Sequence, residues 1–204
     1  MWENNDYTLH FNRNPFYRHE QIILAAGTCD GYLPMSFLRG SNGLTARYEA
    51  GGYLPLSGFR IERTQDVLYL MERTVRILHI SPEHLLAPER VTLRTDTVFY
   101  CRERDDLRIA FLPVPETESS ISNSTDERTH ASASRPGRSI VPPFQRRLVQ
   151  YLAQLKQDLK DPHMSYLLRL AKDLCYNRPD TADILRTIGL LRRELDALPK
   201  TPPK

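Results

Sequence analysis

Residues Ile80–Pro113 run ISPEHLLAPERVTLRTDTVFYCRERDDLRIAFLP, and the fold class turns on how this stretch divides. Ser81 is a residue type that accepts a hydrogen bond from a free backbone N–H at a helix start, and Pro82 suits the first helical position. Ser81–His84 therefore reads as a capped turn leading into an apolar pair, Leu85–Leu86. Three short strands are expected next, at Arg90–Leu93, Thr97–Cys101 and Leu107–Leu112. The last two are joined by a charged turn at Arg102–Asp106. Residues N-terminal to the stretch read as a sheet with two helices, and residues C-terminal to it read as a loop and then helix. The stretch is a pivot between two layers.

Towards the N-terminus, Tyr7–Asn12 alternates, with Tyr7, Leu9 and Phe11 on one side. Asn14–Pro15 breaks it. Phe16–Ala26 carries apolar residues near helical spacing and is stopped by Gly27, which tolerates positive φ. Tyr32–Arg39 and Leu44–Ala50 read as strands joined through Gly40-Ser41-Asn42-Gly43, the strongest hairpin signal in the chain. Arg60–Ile80 is then expected as a long helix. Val67, Leu68, Leu70, Met71, Val75, Leu78 and Ile77 make a stripe wide enough to need neighbours on more than one side.

Towards the C-terminus, residues 116–140 are rich in Ser and Thr and hold Ile121 as the one large apolar residue before the final Ile140. Such a segment does not offset the entropy of ordering its backbone, so a disordered insertion is expected there. Residues 141–198 read as helices. Phe144, Leu148, Tyr151, Leu152, Leu155 and Leu159 fall at spacings of three and four. Asp161–Pro162 reads as cap and first position of the next helix, with Met164, Leu167, Leu168, Ala171, Leu174 and Cys175 as its stripe. Asp180 caps the last helix, whose inward residues are Ile184, Leu185, Ile188, Leu191 and Leu195.

Composition narrows the function classes. The chain has 204 residues, is 40% apolar, and carries a net charge of +3. That length suits one medium domain, or two small lobes sharing an interface, with residues 141–198 expected to complete the same domain as residues 1–115. So mild a charge does not point to nucleic acid, which favours a clustered basic face. Cys29, Cys101 and Cys175 are odd in number and far apart, so neither a disulfide framework nor a zinc site is expected. The start, MWENNDYTLHF, has no basic segment leading into an apolar run, so no secretory signal is expected. No apolar run approaches the roughly 20 residues of a spanning helix. A soluble, cytoplasmic chain is the expectation, reaching a membrane only through a partner.

Three groups of residues carry a family resemblance. The first is Gly31-Tyr32-Leu33-Pro34-Met35-Ser36-Phe37 with the hairpin after it. The second is Glu83-His84-Leu85-Leu86-Ala87-Pro88-Glu89-Arg90-Val91. The third is Val98-Phe99-Tyr100-Cys101 with Arg108-Ile109-Ala110-Phe111-Leu112-Pro113. In order and spacing these resemble a bacterial domain usually found N-terminal to forkhead-associated (FHA) phosphothreonine-binding domains. The resemblance covers most of residues 7–115 and, more loosely, 144–195. It implies an α+β, reduced protein-kinase-like fold, similar to the pseudokinase-like domain of type VII secretion proteins: a small antiparallel sheet lobe and then a mainly helical lobe.

Phosphoryl transfer needs a glycine-rich phosphate loop, a strand lysine, a catalytic aspartate and a metal-binding aspartate. No GxGxxG precedes residue 50. At the catalytic-loop position, Ile80-Ser81-Pro82-Glu83-His84 offers no aspartate. Where a metal-binding aspartate would precede Phe-Gly, the chain has Ala110-Phe111-Leu112-Pro113. Neither enzyme activity nor a cofactor is therefore expected. Glu83–His84 beside Glu89 is an alternative acid–base pair, read here as a turn with solvated charges. Cys101 reads as a small buried hydrophobe, and Asp105–Asp106 as turn formers. The expected function is a non-catalytic scaffold module, binding an FHA protein, a kinase or a secretion component. Arg146, Arg147, Lys156, Lys160, Arg169 and Lys172 on the C-terminal helices are its candidate contact surface. The alternative is a weak nucleotide-binding or transferase domain with an unrecognised site.

Overall fold

The computed structural model describes residues 7–114, 143–177 and 179–198. Over these the chain is α+β, with small antiparallel sheets in the N-terminal part and helices after them. The disorder expected for residues 116–140 lies outside the described residues. Strand β1 (Thr8–Phe11), helix α1 (Arg18–Ala26), strand β2 (Met35–Gly40) and strand β3 (Gly43–Tyr48) form the first layer, with antiparallel order β1-β3-β2. α1 ends at the expected residue: Gly27 takes φ 63 and returns its N–H to the Leu24 carbonyl. The hairpin pairs Gly40 with Gly43 around Ser41 and Asn42. Gly43 has φ 138, and a Cβ there would lie 2.0 Å from the Phe11 carbonyl oxygen of β1. A side chain at this position would push β1 off the sheet.

Helix α2 (Thr64–Ile80) joins the two halves. Its expected stripe is buried throughout, together with Thr64 and Thr74. The stripe's width is explained by its neighbours: strand β6 (Asp106–Ile109) and the helices α3 (Pro143–Leu155), α4 (Ser165–Tyr176) and α5 (Thr181–Asp196). Burying each such side chain contributes about 1.5–3 kcal/mol against about 1 kcal/mol for an ordinary hydrogen bond, so apolar packing dominates here. Thr74 donates to the Leu70 carbonyl and meets the buried Tyr151 hydroxyl at 3.1 Å, so that phenol is not stranded. Both sheets and all helices share one continuous core. Among the described residues, no helix is long and apolar enough to cross a membrane.

α2 begins at Thr64 rather than at the expected Arg60, and the reason lies 97 residues along the chain. Asp161 Oδ2 accepts the Thr64 N–H at 2.6 Å, while Oδ1 accepts from His163 at 2.8 Å. A carboxylate there meets the positive end of the helix dipole. The expected role of Asp161, capping the next helix with Pro162 as first residue, is thus corrected: α4 starts later, at Ser165. Burial opposes ionisation of Asp161, but the N–H groups of Thr64 and His163 outweigh it and hold the carboxyl below its usual range. Asp161→Ala is expected to cost about 1 kcal/mol, read from urea midpoints. A depressed carboxylate stabilises above its unfolded pKa, and that stability is lost as pH falls through the folded value. The variant should therefore lose less stability than the parent on acidification.

The pivot differs from expectation in three places. Ser81–His84 is a 3-10 turn, but it continues α2 directly, so Ser81 closes one helix instead of opening another. Its Oγ donates to the Ile77 carbonyl at 2.6 Å and meets the Tyr32 hydroxyl at 2.7 Å. The strand expected at Arg90–Leu93 is absent. Pro88 fixes φ at the head of a 3-10 turn, Pro88–Arg90, and Val91 alone bridges to Pro113. The expected Thr97–Cys101 strand forms as β5 (Val98–Cys101), while the one expected at Leu107–Leu112 is β6, which stops at Ile109; an unexpected β4 (Leu54–Pro55), outside the pivot, joins them in the order β4-β5-β6. A two-residue strand ending in proline has no alternation to detect.

In the helical part, α3 stops at Leu155, and Leu159 is buried in the turn after it. On α4, Leu167, Leu170 and Leu174 are buried, whereas Leu168, expected inward, is 56% exposed. α4 packs against both α3 and α5, and those neighbours select the buried face. Asp180 caps α5 as expected, accepting the Asp183 N–H at 2.8 Å.

Candidate functional site

Leu85 and Leu86 are consecutive apolar residues in a turn too short to bury both. Leu86 is fully buried; Leu85 is 69% exposed and sits at φ 56, the left-handed region. It closes the 3-10 turn, its N–H returning to the Pro82 carbonyl at 2.9 Å. A leucine there is disfavoured twice, by sterics and by wetting. Around it lies a groove of about 530 Å³. Its accessible apolar lining is Leu85 and Pro82 of the pivot with the edge of Phe144 of α3, laid over the buried Leu78 of α2, Leu86 and Pro88. Glu89, Gln145 and the head of α5 at Asp180–Thr181 supply the polar parts. His79 meets Thr181 at 2.8 Å and ties α2 to α5 near this head. Gln145 Nε2 donates to the Pro179 carbonyl at 3.3 Å, while its buried Oε1 has no hydrogen-bond partner among the described residues.

The positions where phosphoryl chemistry would be sought are packed differently. Phe111 is fully buried, with ring centroids 5.7 Å from Tyr32 and 6.3 Å from Phe16. The Tyr48 hydroxyl donates to the Phe111 carbonyl at 3.0 Å. Burial pushes both the Tyr32 and Tyr48 phenols up. Asp105 sits in the turn as expected, at φ 46, whereas Asp106 already opens β6 opposite Cys101; both brace the hairpin. Asp105 accepts from Tyr100 at 2.6 Å and from Tyr69 of α2 at 2.8 Å; those phenols hold its carboxyl below the usual range. Tyr100 in turn is pushed up to about 12 by burial and by donating to Asp105. Asp106 accepts from Tyr53 and pairs with Arg73 of α2 at 3.4 Å. These carboxylates fasten the hairpin to α2. Among the described residues, no group of three or more His, Cys, Asp and Glu is placed to hold a metal ion. Cys101 is buried as expected, and Arg104 Nε donates to its sulfur, lowering the thiol.

The six basic residues are spread out. Arg146 and Arg147 lie in the first turns of α3, where Arg147 donates to the Glu89 carbonyl at the groove. Lys156 and Lys160 come after the other end of that helix, roughly 14 Å along its axis at 1.5 Å per residue. Arg169 and Lys172 belong to α4, and Arg169 is bound to Glu194 at 2.6 Å. Of the six, it is the Arg147 end that touches the groove. Neither Leu85 nor Gln145 stands out from sequence alone; the readable sign is the Leu-Leu pair framed by Pro82 and Pro88. In comparisons with known proteins, no family model matches this chain and no curated protein matches it.

Proposed function

We propose that the protein is a non-catalytic interaction module, a pseudokinase-like scaffold of bacterial signalling or secretion that works in the cytoplasm. Its partner docks at the groove beside the pivot and belongs to the class of FHA proteins, kinases or secretion components. One observation carries this reading: Leu85 is held in an unfavourable backbone conformation with most of its side chain in water. Backbone strain of about 1–2 kcal/mol persists where the surroundings impose it, and it concentrates at ligand clamps and switches. The packing of Phe111 into an aromatic core, and the use of Asp105 and Asp106 as hairpin braces, favour a surface function over chemistry.

Leu85→Gly relieves the strain but adds backbone entropy to the unfolded chain, which returns about 0.5–1 kcal/mol. A net stabilisation of roughly 0.5–1 kcal/mol is expected, measured by urea titration, alongside weaker partner binding. The reading itself is tested in cells with a photo-crosslinker placed at position 89, on the rim of the groove. Capture of an FHA protein, a kinase or a secretion component, lost when Leu85→Asp is added to the same chain, supports it. Capture that Leu85→Asp leaves unchanged counts against the groove. A thermal shift with ATP and magnesium covers the nucleotide alternative: reproducible stabilisation of the chain would displace the scaffold reading.

A further inference from the structure

The chemistry of the groove's rim says what kind of segment fits it. Glu89 and Asp180 are exposed at its edge and Glu83 is exposed next to it. Among the described residues, none of these three takes part in an ion pair. Of the nearby cations, Arg147 is spent at the rim on the Glu89 main-chain carbonyl, while Arg186 pairs with Asp183 and Arg90 with Glu20. The positive end of the α5 dipole, which on its own favours an anion, is answered by the Asp180 cap and by Asp183 in the first turn. An apolar lining, an exposed leucine and carboxylates at the edge together match a ligand that is greasy on one face and donates hydrogen bonds from cationic groups.

We infer that the groove takes a short amphipathic segment of a partner protein, with leucine- or phenylalanine-type anchors flanked by lysine or arginine. This rests on the groove being the docking site proposed above. The anchors lie against Pro82, Leu85 and Phe144, and the cations reach Glu83, Glu89 and Asp180. Because the carboxylates are exposed, they set selectivity and encounter rate more than they set affinity, and their contribution falls as salt rises.

The test uses the whole chain and three fluorescein-labelled 14-residue peptides in anisotropy titrations. One has leucines at helical spacing with lysines between them, one replaces the lysines by glutamates, and one replaces the leucines by serines. The Leu/Lys peptide is expected to bind, and the other two to bind at least roughly tenfold more weakly. Leu85→Asp should abolish binding; aspartate tolerates the left-handed backbone, and Leu85→Asn serves as a second variant should the first fold poorly. Glu89→Lys should weaken the Leu/Lys peptide and strengthen the Leu/Glu peptide. If the Leu/Glu peptide binds as well as Leu/Lys and Leu85→Asp removes both, the cationic preference is overturned while the groove stands. If neither Leu85 variant changes any titration, the groove itself is not the docking site. If sedimentation shows a dimer of the free chain that Leu85→Asp splits, the occupant is a second copy and the inference fails.

Discussion

Arg90→Ala is expected to remove about 3–5 kcal/mol of folding stability, the cost of leaving a buried carboxylate unpaired. Glu20 of α1 is fully buried. Its Oε1 accepts from Arg90 Nε at 2.6 Å, and its Oε2 accepts from Arg90 Nη2 at 3.1 Å and from the Tyr17 N–H at 2.7 Å. Arg90 also donates to the Pro15 carbonyl at 2.8 Å, and its guanidinium carbon lies 3.8 Å from the centre of the Tyr17 ring. One arginine thus pins the start of α1 to the pivot. The measurement is a urea titration of the variant against the parent. Replacing both partners with apolar residues, Glu20→Leu with Arg90→Met, should recover most of the loss, since a buried pair is often close to neutral against a packed apolar substitute. A single-variant loss below about 1 kcal/mol would mean the pair is open to water.

Phe111→Ala should cost a similar amount, about 3–5 kcal/mol, because the vacated space lies between Phe16 and Tyr32 where little is free to collapse. Leu85→Ala provides the contrast within the same segment. Leu85 is mostly solvated, so its truncation should change stability by less than about 0.5 kcal/mol while weakening partner binding. Two apolar residues on the pivot are thereby separated by measurement, one serving the core and one serving the surface. Should Phe111→Ala prove nearly neutral, Phe111 would not be the packed centre of that aromatic cluster.

Much of the fold could be read from the chain because its signals are local. Gly27 ends α1, Gly40 to Gly43 turn the first hairpin, and the α2 stripe carries its own sign of burial on several sides. The candidate site was less readable. Leu85 and Leu86 look alike in sequence, and only the turn they share decides that one enters the core and the other is left out. The basic residues, readable as a set, are separated by the length of α3 and drawn off singly, Arg147 to a carbonyl and Arg169 to Glu194.

By itself the sequence determined the α+β class, the order of most elements and the apolar faces, since periodicity, glycine and caps act over a few residues. The tertiary structure alone decided where α2 begins, which face α4 buries and which leucine is left exposed. The first two depend on partners distant in the chain, as Thr64 depends on Asp161, and no pattern within a window of ten or so residues contains them; the third depends on a left-handed turn residue that a leucine does not announce.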